Sequence, residues 1–104
     1  MQKGVCISLD IRRLTSHDLP LLRSLNTLFG HAFGEPDTYC AEPPSDAYLS
    51  GLLAKEGLIV LVALMAGQVV GGLVAYELDK FERARRELYI YDLACGSAPP
   101  VWYC

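Results

Sequence analysis

Three strand-length apolar segments follow one another in the second half of the chain, and that succession limits the fold more than any other feature. Residues 58–64, Leu-Ile-Val-Leu-Val-Ala-Leu, form an unbroken apolar run. Met65-Ala66-Gly67-Gln68 supplies turn chemistry, and residues 69–78 form a second run. A charged connection over residues 79–86 leads into Glu87-Leu88-Tyr89-Ile90-Tyr91-Asp92-Leu93-Ala94. That stretch has no Gly or Pro and is rich in aromatic and branched side chains, so it reads as a further strand. Sequential strands joined by short turns form an antiparallel meander. The continuous apolarity of 58–64 predicts a strand buried on both faces. Gly71-Gly72 inside the next segment predicts a bulge or a close backbone approach.

Upstream, Val5, Ile7, Leu9 and Ile11 alternate with Cys6, Ser8, Asp10 and Arg12. This period of two predicts a first strand, half exposed and near a sheet edge. Thr15-Ser16-His17-Asp18 then gives a helix start, with Thr15 as cap and Asp18 completing a capping box. Pro20 is tolerated in a first turn. Leu22, Leu25, Leu28 and Phe29 share one helical face. This helix ends at Gly30 or runs on to Phe33 before Gly34 and Pro36, and His17 reads as an exposed first-turn residue. Residues 34–44 are a loop by turn chemistry. Ser45 or Asp46 caps a second, short helix with Tyr48, Leu49, Leu52 and Leu53 on its apolar side. The order is β-α-α-β-β-β. It predicts one α+β domain over residues 1–104, with both helices on one side of the sheet.

The charge balance excludes some partners. A net charge of −3 argues against nucleic acid. The longest apolar run, residues 58–66, falls far short of the roughly 20 residues that span a bilayer. No apolar segment follows the N-terminal Met1-Gln2-Lys3-Gly4, so no secretory signal is read, and the expected location is cytoplasmic. Cys6, Cys40, Cys95 and Cys104 lack metal-ligand spacing with each other or with His17 and His31, so no metal is expected. They read as free thiols, with Cys6 and Cys95 as small buried residues in strands. Arg83, Arg85 and Arg86 read as part of a solvated loop, with a surface or subunit-contact patch as the alternative. Residues 24–54 contain no Lys or Arg but hold Glu35, Asp37, Glu42 and Asp46. The segment is either a solvated acidic loop or a wall that concentrates a cationic ligand.

Several short motifs occur together. They are Leu28-Phe29-Gly30-x-x-Phe33, Thr38-Tyr39, Pro44-Ser45-Asp46-x-Tyr48-Leu49, Val70-Gly71-Gly72-Leu73-x-Ala75-Tyr76, Lys80-Phe81-Glu82 and Glu87-x-Tyr89-Ile90-Tyr91-Asp92-Leu93-Ala94. In this order they resemble the aminoglycoside (gentamicin-type) 3-N-acetyltransferases of the GNAT superfamily. The match runs over roughly residues 10 to 94, with residues 5–95 taken as the family-like part. The resemblance implies the N-terminal half of a GNAT fold and acetyl transfer from acetyl-CoA to the 3-amino group of an aminoglycoside, an antibiotic-resistance activity. It implies that the backbone of Asp92, Leu93 and Ala94 pairs with the peptide-like pantetheine arm of acetyl-CoA. It makes Asp92 the candidate catalytic or orienting acid, although a structural acceptor at a strand bulge fits the same residue. It places Glu35, Asp37, Glu42, Asp46 and Tyr91 towards the polycationic acceptor. Tyr89 shares a face with Tyr91 and reads as core or cleft wall.

The resemblance stops after Ala94. The Arg-x-x-Gly-x-Ala type of loop, whose backbone N–H groups cradle pyrophosphate at a helix N-terminus, is not seen. Residues 96–104 read as an aberrant tail. Back-translated and shifted by one nucleotide, residues 98–104 permit His-Arg-Arg-Tyr-Gly-Ile-Ala, which fits that loop, so a frameshifted reading is expected here. The expected consequences are impaired activity and an open apolar edge on the last strand. Such an edge invites self-association or a homodimer. Two alternatives stay open. One is a non-catalytic fragment that only dimerises or binds ligand. The other is a GNAT-type enzyme acting on another small amine.

Overall fold

Leu58, Val60 and Val62 are buried while Ile59, Leu61 and Ala63 are only half-buried, and this alternation sets the layering of the molecule. The computed structural model describes residues 9–35, 37–38 and 42–96. The residues expected at the start of the first strand, 5–8, and the tail at 97–104 lie outside them, as do Cys6, Cys40 and Cys104. The elements are β1 (Leu9–Arg13), α1 (Leu19–Ala32), α2 (Asp46–Leu53), β2 (Leu58–Met65), β3 (Gln68–Asp79) and β4 (Arg86–Cys95). The four strands form one sheet in the order β1-β2-β3-β4, every pair antiparallel. The α+β class and the meander are as the sequence predicts.

Both helices pack on the side of the sheet that carries Leu58, Val60 and Val62. Leu22, Leu25 and Phe29 of α1 and Leu49 and Leu53 of α2 join these residues in one core. The expectation that β2 is buried on both faces is therefore corrected. Among the described residues no helix covers the other side, and there the same strand is only partly shielded. On that outer face the register places Ile11 beside Ala63, and Leu73 between Leu61 and Leu93. Ile11, Leu88, Ile90 and Leu93 are each at least half exposed.

Turn chemistry accounts for the tight β2–β3 connection. Ala66 and Gly67 have φ of 53° and 77°, the left-handed pair that suits the twist of a two-residue hairpin. Just beyond it, Ala63 pairs with Gly71 but Leu64 pairs with Val69, so Val70 is an extra, bulged residue. The expected close approach is present as well. A Cβ on Gly72 would lie 2.6 Å from Leu25 Cδ1 and 2.6 Å from the Leu61 carbonyl oxygen. Glycine at this position lets α1 sit down on β3.

Helix α1 starts later than a Thr15 cap implies. Asp18 occupies the cap position, and its side chain does not bond the first turn. The carboxylate instead accepts from the Thr15 N–H at 2.8 Å, the Thr15 hydroxyl at 3.0 Å and the Arg12 guanidinium at 2.9 Å. The Thr15–Asp18 pairing thus closes a turn ahead of the helix and ties it to β1. Gly30 does not end α1. The helix continues to Ala32, where the rings of Phe29 and Phe33 stack with centroids 5.4 Å apart. In α2, Ser45 is the cap and its Oγ accepts from the Tyr48 N–H at 3.1 Å. Tyr48, expected on the apolar side, is 60% exposed, because only Leu49 and Leu53 turn into the core.

Candidate functional site

Strand β4 carries the residues on which the sequence places the chemistry. Val74 of β3 pairs with Asp92, but Ala75 pairs with Ile90, so Tyr91 is an extra residue and β4 is bulged there. A bulge bends the strand and re-aims its side chains. Asp92 follows the bulge directly. It is half-buried, and its register with Val74 puts it on the helix-bearing side of the sheet. Leu93 and Ala94 continue in register with Leu73 and Gly72. Among the described residues β4 is the last strand of the sheet and lies at its edge. A peptide-like chain can add to such an edge as a further strand.

The acids proposed to face the acceptor are placed differently from one another. Glu35 follows α1, its N–H bonded to the Gly30 carbonyl at 2.8 Å. Glu35, Asp37 and Glu42 are all exposed on the connection between α1 and α2. Asp46, in the first turn of α2, is engaged by the Arg23 guanidinium, which also donates to the Pro44 carbonyl at 3.1 Å. Arg23 stands one residue ahead of the cation-free stretch and neutralises part of its charge, a pairing that the linear sequence does not reveal.

Tyr91 has two aromatic neighbours. The ring of Tyr76 on β3 meets it edge-on at 5.9 Å between centroids, and the ring of Tyr89 lies at 6.4 Å. The sequence pairs Tyr89 with Tyr91 by alternation. Tyr76 escapes it, because its place beside Tyr91 depends on the register shift in β4.

The charged β3–β4 connection is a self-paired loop. Arg85 bridges Glu82 at 2.9 Å and Glu87 at 3.1 Å, and Arg86 bridges Asp79 at 3.0 Å. Cys95, read as a free thiol, is disulfide-bonded. Among the described residues no group of three or more His, Cys, Asp or Glu is disposed to hold a metal ion, and no helix is long and apolar enough to cross a membrane.

The fold recurs in known enzymes. An aminoglycoside acetyltransferase, HMB0005, from an uncultured soil metagenomic sample superimposes with a TM-score of 0.86 at 45% identity, over 90% of this chain and 62% of its own. In fold and in sequence the chain is similar to the GNAT-type acetyltransferases. A second aminoglycoside acetyltransferase of that group, meta-AAC0020, also from an uncultured soil metagenomic sample, is 35% identical over 86% of this chain. Its complex with sisomicin matches with a TM-score of 0.76. A GNAT-fold ribosomal-protein-alanine N-acetyltransferase from Brucella melitensis biovar Abortus 2308 matches at 20% identity with a TM-score of 0.61, which speaks to the fold alone. This chain spans about three fifths of the length of each of these GNAT proteins. Models of protein families and curated protein sequences gave no match.

Proposed function

We propose that this chain contributes to acetyl transfer from acetyl-CoA to an amino group of an aminoglycoside, the 3-amino group by resemblance, in the cytoplasm. The observation that carries this reading is the bulge of β4 at Tyr91, directly before Asp92, in a chain 45% identical to an aminoglycoside acetyltransferase. The backbone of Asp92, Leu93 and Ala94 holds the pantetheine arm, and acetyl-CoA when bound supplies the activated acyl group. An acceptor amine is mostly protonated at neutral pH and attacks only after losing its proton. The Asp92 carboxylate, on the helix-bearing side beside the bulge, takes that proton directly or through a water. Glu35, Asp37 and Glu42 draw the polycation towards the α1–α2 side, and Tyr91 borders the place where it sits.

The test is acetyl-CoA-dependent thiol release by the purified chain with gentamicin and with a panel of other small amines. The expected result is gentamicin-dependent release that falls at least about a hundredfold in Asp92→Asn, the scale of a lost general base. Gentamicin-independent thiol release, or an unchanged rate in Asp92→Asn, overturns the assignment of the acceptor or of the base.

A second reading has its own support in the exposed apolar residues of the outer face: a chain that self-associates, as a homodimer or larger, without turnover. Thiol release separates the two readings, because self-association alone gives none.

A further inference from the structure

Tyr76, Tyr89 and Tyr91 stand together on the side of the sheet that carries α1 and α2. Tyr76 lies opposite the core residue Leu58 on one side and Tyr89 on the other, which fixes that side. Yet the three rings are 40%, 55% and 66% exposed. The core ends at Leu58, and beyond it the helices no longer cover β3 and β4. Scattered single aromatic residues on a surface need no explanation, but three grouped around one of them, Tyr91, do. The rings hold one another at 5.9 and 6.4 Å, and they rise from paired strands rather than from loops. Little conformational freedom is therefore left to lose when something binds on them. Asp92 is next in the chain after Tyr91 and lies on the same side of the sheet.

We infer that Tyr76, Tyr89 and Tyr91 form an aromatic platform for a cationic amino-sugar ring of the acceptor. The inference rests on the acceptor reading above and adds Tyr76 and Tyr89 to it as specificity-determining residues. A ring bearing ammonium groups suits the platform on two counts. Its apolar C–H face packs on a tyrosine face, and its charge is attracted to the ring quadrupole. A neutral disaccharide offers only the first interaction, so the platform favours aminated over plain sugars.

The experiment titrates the full chain with gentamicin, and in parallel with trehalose as the neutral probe, following tyrosine ring-proton signals by NMR and affinity by calorimetry. The ring signals of all three tyrosines are expected to move with gentamicin, and trehalose is expected to bind more weakly. Tyr89→Ala and Tyr76→Ala are expected to weaken gentamicin by about 3- to 30-fold, while Tyr89→Phe stays within about twofold because the ring face is kept. Thermal melts confirm that each variant folds. If Tyr76→Ala does not fold, the half-exposed Tyr89 and the ring signals of the unaltered chain still decide. Gentamicin binding with unmoved tyrosine signals, or with equal affinity in Tyr89→Ala, overturns the platform and leaves the acceptor reading standing. Failure of the unaltered chain to bind gentamicin up to millimolar concentration overturns both.

Discussion

Asp18 shows how one side chain joins sequence-distant parts of the chain. It is buried, yet it accepts from the backbone and hydroxyl of Thr15 and from Arg12 on β1. The Thr15 N–H is the main cause that holds its carboxyl below the ordinary value of 3.8. The Thr15 hydroxyl and the Arg12 and His17 charges act in the same direction, and burial opposes them. The folded state therefore favours the ionised form. The stability this confers is fully present above the unfolded value and is lost as pH falls below 3.8 through the lower folded value. Asp18→Asn is expected to cost about 1–3 kcal/mol at pH 7, the scale of hydrogen bonds to a charged group. The deficit should narrow as pH drops below 4. Denaturant unfolding of both proteins at pH 7, 4 and 3 checks this, and a constant difference across that range contradicts it. The Thr15–Asp18 spacing was legible as a capping box. The later start of α1 was not, because the pull of Arg12 on Asp18 crosses from another element.

At the scale of elements, the junction of α1 and β3 depends on Gly72. A methyl group there meets Leu25 and the Leu61 carbonyl at 2.6 Å, and one of these is backbone. Gly72→Ala is expected to destabilise the chain by about 1–3 kcal/mol, the usual cost of overpacking, seen as a lower denaturant midpoint with an unchanged slope. A neutral effect would mean that α1 lifts off the sheet without penalty. The Gly-Gly pair announced this contact, since few other reasons put two glycines inside a strand. The bulge in β4 had no such sign. Tyr91 is an ordinary strand residue, and only the partner register of β3 makes it the extra one. The helices and strands were thus legible from periodicity and turn chemistry. What was missed involves two elements meeting: Arg23 on Asp46, Tyr76 beside Tyr91, and the one-sided cover of β2.

At the scale of the molecule, the helices among the described residues cover one side of the sheet. The helices bury Leu58, Val60 and Val62, while Ile11 and Leu93 on the other face are each 63% exposed and Leu88 and Ile90 are at least half exposed. Ile11 and Leu93 border a shallow depression of about 220 Å3 that Leu61, Ala63 and Leu73 also line. An apolar surface of this kind beside the last strand of the sheet lowers its free energy by meeting another apolar surface or strand. A second copy offers both in self-complementary form. Light scattering on the isolated chain is therefore expected to give a mass that rises with concentration. Placing charge in the middle of the face should oppose this without touching the core, since both positions are exposed. The pair Ile11→Lys and Leu93→Lys is expected to return the mass towards that of one chain and to leave the unfolding midpoint of the monomer little changed. If the doubly substituted chain still associates, the contact runs through the β4 edge alone, where backbone pairing tolerates such side chains. If the unsubstituted chain is monomeric at all concentrations, neither the face nor the edge is an interface between copies, and the self-association reading fails while the catalytic one is unaffected.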